Sequence, residues 1–163
     1  MDRLPINYAE LETIYNQTLG QNIPVLALVS PKGGEGVTSI ADALARRAAA
    51  AGNRALLIEC NMAAPSLAKT LKLQALSWSP ETNVRQLPVQ MLAETGVHVL
   101  LAPPSTTLAW SFREPQKLHR LLRQLSALFS PIILDTSPLL SRNQGNIPPE
   151  IIAAAAHSTV LVT

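Results

Sequence analysis

The chain alternates short apolar runs with longer amphipathic stretches. Five runs carry little or no polar alternation: Val25-Leu26-Ala27-Leu28-Val29, Ala55-Leu56-Leu57-Ile58, Val97-His98-Val99-Leu100-Leu101, Ile132-Ile133-Leu134-Asp135 and Thr159-Val160-Leu161-Val162. Such runs predict strands covered on both faces, as in a parallel sheet. Between them the spacing turns helical. Leu11, Ile14, Tyr15 and Leu19 predict a helix over residues 5–19, with Pro5 in its first turn and Gly20 at its end. The alanine-rich stretch from Thr38 to Ala51, closed by Gly52, predicts a second helix with Arg46 and Arg47 on its exposed side. Pro65 introduces a short helix, Ser66 to Leu73. The clearest stripe, Leu118, Leu121, Leu122, Leu125 and Leu128, predicts a helix from Pro115 to Phe129, with Lys117, Arg120, Arg123 and Gln124 largely off it. A loop with Arg142, Asn143, Gly145 and Asn146 leads to a last helix, from Pro148-Pro149 to Ala156. Residues 74–96 hold no period because Trp78, Pro80 and Pro88 interrupt it, and only Val89 to Thr95 reads as helical.

Strands alternating with helices, joined by crossovers long enough for parallel connections, predict an α/β fold. Its sheet is doubly wound and mostly parallel, with helices on both faces. One domain over residues 1–163 is expected, with an N-terminal helix in residues 1–20. Ligands bind such sheets at the carboxyl ends of the strands. Those ends carry Ser30, Glu59-Cys60-Asn61, Ala102-Pro103 and Asp135-Thr136.

Composition narrows the class without naming a chemistry. Hydrophobic residues make up 47% and charged residues 15%, a globular balance rather than a disordered one. The apolar runs are too short to span a bilayer. Met1-Asp2-Arg3-Leu4-Pro5 has no apolar core behind it, so no signal peptide is expected. A single cysteine, Cys60, excludes an internal disulfide and fits a reducing, cytoplasmic setting. It reads as a buried filler. A net charge of +2 is too weak to argue for nucleic acid. His98, His119 and His157 have no metal-ligand spacing, and Trp78 and Trp110 lie in or beside loops, where covering the core is the default.

The chemistry concentrates in Ser30-Pro31-Lys32-Gly33-Gly34-Glu35-Gly36-Val37-Thr38-Ser39, between the first strand and the second helix. A glycine-rich turn there can aim backbone N–H groups inward, and the helix start adds its positive dipole end. This is the context of a Walker A loop, G-x-x-x-x-G-K-[ST]. Pro31 stands at its first glycine and Val37 at its lysine, while Thr38 keeps the hydroxyl that would hold magnesium.

This loop, with its Gly-Glu-Gly, resembles that of the bacterial tyrosine kinases of the polysaccharide-export type (BY-kinases), relatives of the MinD/ParA ATPases. Lys32 before Gly33-Gly34 resembles the signature lysine of MinD/ParA loops, which reaches a phosphate, often across a dimer interface. Ala55 to Ser66 is similar to the family's second acidic motif, Val97 to Pro104 to its following strand, and Pro131 to Leu139 to its Walker B strand. The resemblance implies a P-loop NTPase-like fold, ATP or ADP at Lys32, Gly33, Gly34, Glu35, Gly36, Val37, Thr38, Ser39 and Asp135, and Mg²⁺ at Thr38 and Asp135. Two roles stay open for Lys32: a replacement phosphate cation or a solvated loop lysine. Asp135 would hold magnesium through water or bond the loop backbone.

The departures fall on the catalytic atoms. Val37 removes the phosphate ammonium, and its branched side chain is expected to crowd the pocket. Glu59 and Asn61 stand at the family's two aspartates, and Ala63 at its basic residue. Thr13 and Asn16 replace the arginines of an oligomerisation helix in which Glu10 is kept. The family's C-terminal tyrosine cluster and adenine-covering end have no counterpart before Thr163, so a truncated C-terminus is expected. The expected function is therefore a degenerate, pseudokinase-like protein that is not an enzyme, with weak nucleotide binding or none. It would support exopolysaccharide or capsule biosynthesis through a polysaccharide co-polymerase or another membrane export protein. It would be cytoplasmic, peripheral at the inner membrane face through that partner, and a monomer or small homo-oligomer. The alternatives are an active ATPase or autokinase using Lys32, or a MinD/ParA-like localisation ATPase of a pilus or secretion system.

Overall fold

The continuous apolar runs become the inner strands of one six-stranded sheet. A computed structural model describes residues 3–141 and 145–163, and the expected loop residues Arg142 and Asn143 lie outside them. The strands are β1 (Val25–Val29), β2 (Leu56–Glu59), β3 (Gln90–Met91), β4 (His98–Leu100), β5 (Ile132–Asp135) and β6 (Ser158–Leu161), in the order β3-β4-β2-β5-β1-β6. All neighbours are parallel except β3 with β4. The helices are α1 (Ala9–Gln17), α2 (Val37–Ala50), α3 (Leu67–Leu71), α4 (Ala109–Phe112), α5 (Pro115–Ser126) and α6 (Pro149–Ala155).

Every residue of β1, β2 and β5 is buried, which is why their sequences show no alternation. Successive residues still serve opposite faces. Val25, Ala27, Leu56, Ile58, Ile132 and Leu134 join the side chains of α5 and α6 in one cluster. Leu26, Leu28, Leu57 and Ile133 join those of α1, α2 and α3 in the other. The doubly wound α/β fold expected from the alternation is the fold observed.

Three expectations need correction. Val89 to Thr95 is no helix: Gln90 and Met91 pair antiparallel with Val99 and His98. The Leu92 N–H donates to the Val97 carbonyl, and the Gly96 N–H to that of Leu92. A four-residue turn thus folds the segment onto β4, a hairpin outweighing local helix propensity. Arg46 and Arg47 are not a solvated face. Arg46 bonds the Asp42 carboxylate at 2.9 Å and the Leu4 carbonyl at 2.6 Å, while Arg47 pairs with Glu12 and lies 4.3 Å from the Tyr15 ring centroid. These contacts fasten residues 3–17 along α2. Leu128 lies past the end of α5 and is exposed, so the stripe stops at Leu125. The two tryptophans part company. Trp78 is buried, donating to the Leu101 carbonyl at 2.7 Å, and Trp110 on the unforeseen α4 is 67% exposed.

Candidate phosphate-loop site

The glycine-rich loop lies at the carboxyl end of β1, leading into α2. Gly34 and Gly36 adopt φ of 84° and 90°, the left-handed region where a Cβ would be strained. The chain can therefore wrap tightly between Lys32 and the start of α2. Gly36 caps α2 without a side-chain bond, leaving the helix's first N–H groups directed at the turn. A cavity of about 240 Å³ opens there, lined by Gly33, Gly34, Glu35, Gly36, Val37, Thr38 and Ser39 from the loop. Ser30, Asn61, Thr136 and Pro138 complete it from neighbouring strand ends.

The charge on this cavity is the reverse of a working phosphate site. Glu35 is its only charged lining residue among those described. Its carboxylate folds back and accepts the Lys32 N–H at 3.0 Å, so one loop donor is already taken. The Lys32 side chain is exposed, and Lys32 does not line the cavity. Val37 is 8% exposed and belongs to the cluster of Leu26, Leu28 and Ala41. It therefore lines the cavity while packing against the core. Among the described residues, no cation lines the cavity at the position Val37 occupies.

Asp135, at the end of β5, does not line the cavity, although the next residue, Thr136, does. Asp135 is 1% exposed, and neither of its oxygens has a hydrogen-bond partner. The loop-backbone bond weighed for it is absent. Burial pushes its pKa up to about 7, opposed by the nearby Thr38 hydroxyl and reinforced by the charge of Glu59. The Thr38 hydroxyl lies close enough to favour the ionised form as a hydrogen-bond donor does, yet outside strict hydrogen-bond geometry. Two bare carboxylate oxygens beside a hydroxyl suit a hard cation such as Mg²⁺. Among the described residues no three His, Cys, Asp or Glu side chains converge. Magnesium here would depend on phosphate and water for its remaining oxygens.

The second acidic motif is occupied otherwise. Glu59 accepts the Ser66 and Leu67 N–H groups at 2.7 and 2.9 Å with one oxygen and the Ala102 N–H at 3.2 Å with the other. It fastens the start of α3 and the end of β4 to β2. Asn61 accepts from the Ala64 N–H at 3.2 Å and the Asn146 side-chain amide at 3.3 Å. Asn146, in turn, accepts the Met62 and Ile147 N–H groups at 2.9 and 3.1 Å. No sequence pattern singles out Asn146, because its role depends on a partner 85 residues away. Thr136, which donates to the Leu28 carbonyl at 2.7 Å, could be found as the residue after the Walker B aspartate. Cys60 is buried, with its thiol pKa driven far up by burial, which removes it as a nucleophile.

No protein-family model and no curated protein matches the sequence. Solved structures do match. The VpsO kinase domain superposes with a TM-score of 0.74 at 20% identity, over 92% of this chain and 74% of that one. The kinase domain of the Escherichia coli tyrosine kinase ETK gives 0.75 at 13%, over 100% and 69%. The fold is that of tyrosine kinase domains. It is equally that of MinD: the septum site-determining protein MinD from Pyrococcus horikoshii, complexed with Mg-ADP, gives 0.67 at 17% identity, over 85% of this chain and 57% of that one. At these identities the likeness is one of fold, and the P-loop architecture inferred from the motifs stands on it. Among the described residues no helix is long and apolar enough to cross a membrane.

Proposed function

We propose that this chain is a pseudokinase-like relative of the bacterial tyrosine kinases, keeping the phosphate-loop scaffold without phosphoryl transfer. It works through protein contacts in exopolysaccharide or capsule assembly, held at the inner membrane face by a polysaccharide co-polymerase or another export protein. The observation that carries this reading is the lining of the loop cavity, where the only charge among the described residues is the negative one of Glu35. Phosphoryl transfer relies on positioning and on cations that neutralise developing charge, and a cavity lined by a carboxylate, with Lys32 outside the lining, opposes both. Asp135 and Thr38 fit magnesium, so nucleotide with Mg²⁺ binds weakly if at all, through backbone N–H groups and the α2 dipole.

The test is incubation with labelled ATP and Mg²⁺, together with a pull-down from membrane extract. The reading expects no labelled phosphate on Tyr8 or Tyr15, release of phosphate at the buffer rate, and recovery of a membrane export protein. Label on either tyrosine, or no membrane-protein partner, counts against it. A second reading, an ATPase or autokinase using Lys32, draws on one observation: the Lys32 side chain is exposed on the loop and so is presented to a second copy. Turnover that rises with protein concentration and vanishes in Lys32→Ala would favour it.

A further inference from the structure

The phosphate loop is not the only concave surface. At the opposite end of the sheet, where β1 begins, a cleft of about 440 Å³ opens between α5 and the junction of α6 with β6. Val25, Leu122 and Ala155 give it an apolar floor, and His119, Arg123 and His157 stand at its rim. His119 and Arg123 are four residues apart on α5 and so share a face. His157 is placed by its backbone, whose N–H donates to the Val25 carbonyl at 2.9 Å just before β6 pairs with β1.

The charges here differ from those that the fold ties into ion pairs. Arg3 and Arg46 are paired with Asp42, Arg47 with Glu12 and Lys117 with Glu81. Among the described residues no carboxylate lies within ion-pair distance of Arg123, His119 or His157, and none lines the cleft. A guanidinium fork beside two imidazoles, over an apolar floor and without a counter-ion, is a donor set for an oxyanion. The volume falls within the ligand range of about 300–1,000 Å³.

We propose that this cleft binds a small phosphorylated ligand, independently of the phosphate loop. The five residues of β1 separate the two sites by about 16 Å at about 3.3 Å per residue, so occupancy of one involves no residue of the other. Arg123 also complements the negative end of α5, a role that needs charge but not the fork.

The experiment titrates inorganic pyrophosphate into the full chain and follows backbone amide NMR signals, with sodium chloride at matched ionic strength as the control. Saturable shifts are expected at His119, Arg123 and His157 with a dissociation constant of about 1 mM or tighter. Arg123→Gln weakens it at least about tenfold, and Arg123→Lys, which keeps the charge, weakens it about threefold. Arg123 is exposed, so both variants fold. Any response of the Gly33 to Thr38 amides is a separate set that Arg123→Gln leaves unchanged. Absence of saturable shifts around α5, an equal response to chloride, or an unchanged constant in Arg123→Gln would overturn the proposal.

Discussion

Glu59 and Asp135 face each other in register on β2 and β5, both almost fully buried, and their carboxylates meet opposite surroundings. Glu59 holds three backbone N–H groups. Asp135 holds none and carries a pKa of about 7. The geometry divides them into a structural clamp and a buried acid without hydrogen-bond partners.

The Asp135 shift fixes the sign of a pH dependence. An unfolded aspartate titrates near pH 4, whereas burial keeps Asp135 protonated in the fold up to about 7. Between those values the folded state binds the extra proton, so this group makes stability fall as pH rises, levelling off above about 7. Asp135→Asn removes that slope. It should raise stability at pH 8 by roughly 2–4 kcal/mol relative to the parent, read by urea unfolding at pH 4.5 and 8. An unchanged slope in the variant would show that Asp135 is ionised in the fold.

Glu59→Ala strips partners from three backbone N–H groups and should cost roughly 3–5 kcal/mol, measured by urea unfolding. A loss below about 1 kcal/mol would mean that water replaces the clamp. Glu59→Asp, the family's residue, is a methylene shorter and cannot span from Ser66 to Ala102. Repair of the site therefore has to leave Glu59 alone.

Asp42 is the joint between the N-terminal segment and α2, bonded to both Arg3 and Arg46. Asp42→Asn leaves two guanidinium groups without a carboxylate. Since the Arg3 side chain is 29% exposed, the loss should be modest, about 1–2 kcal/mol, or a Tm fall of roughly 3–6 °C by calorimetry. No change in Tm would mean that the Arg47–Glu12 pair and the apolar contacts of Leu11 and Tyr15 suffice to hold α1.

The sheet was legible because β1, β2 and β5 are buried on both faces and their sequences record it. The hairpin of β3 and β4 was not, because Gln90 and Met91 make an edge strand with no apolar alternation. The loop was legible from its glycines and the flanking strand and helix. What Glu35, Glu59 and Asn61 do there was not, since each carboxylate or amide is committed to a backbone or side-chain partner that only the folded chain brings near. Asp42 reads in sequence as one more helix charge, and only burial between two arginines reveals its place.

Val37→Lys supplies an ammonium from the first turn of α2, and a lysine stem can leave the core for the cavity. The variant should bind ATP–Mg at least about tenfold more tightly than the parent, as one added charge-assisted contact gives. Turnover should remain undetectable, because Asn61 stays an amide bonded to Ala64 and Asn146 and residues that act as a unit are non-additive. Hydrolysis well above background from the single change would show that Asn61 is no lesion.

The loop keeps its glycine geometry, with Gly34 and Gly36 at positive φ, and has lost its hold on nucleotide. Isothermal calorimetry of the unaltered protein with ATP and Mg²⁺ near neutral pH tests it directly. The account predicts a dissociation constant weaker than about 100 μM, or no heat of binding at all. An affinity of about 1 μM would contradict it, showing that Lys32 or another group supplies the cation that Val37 does not.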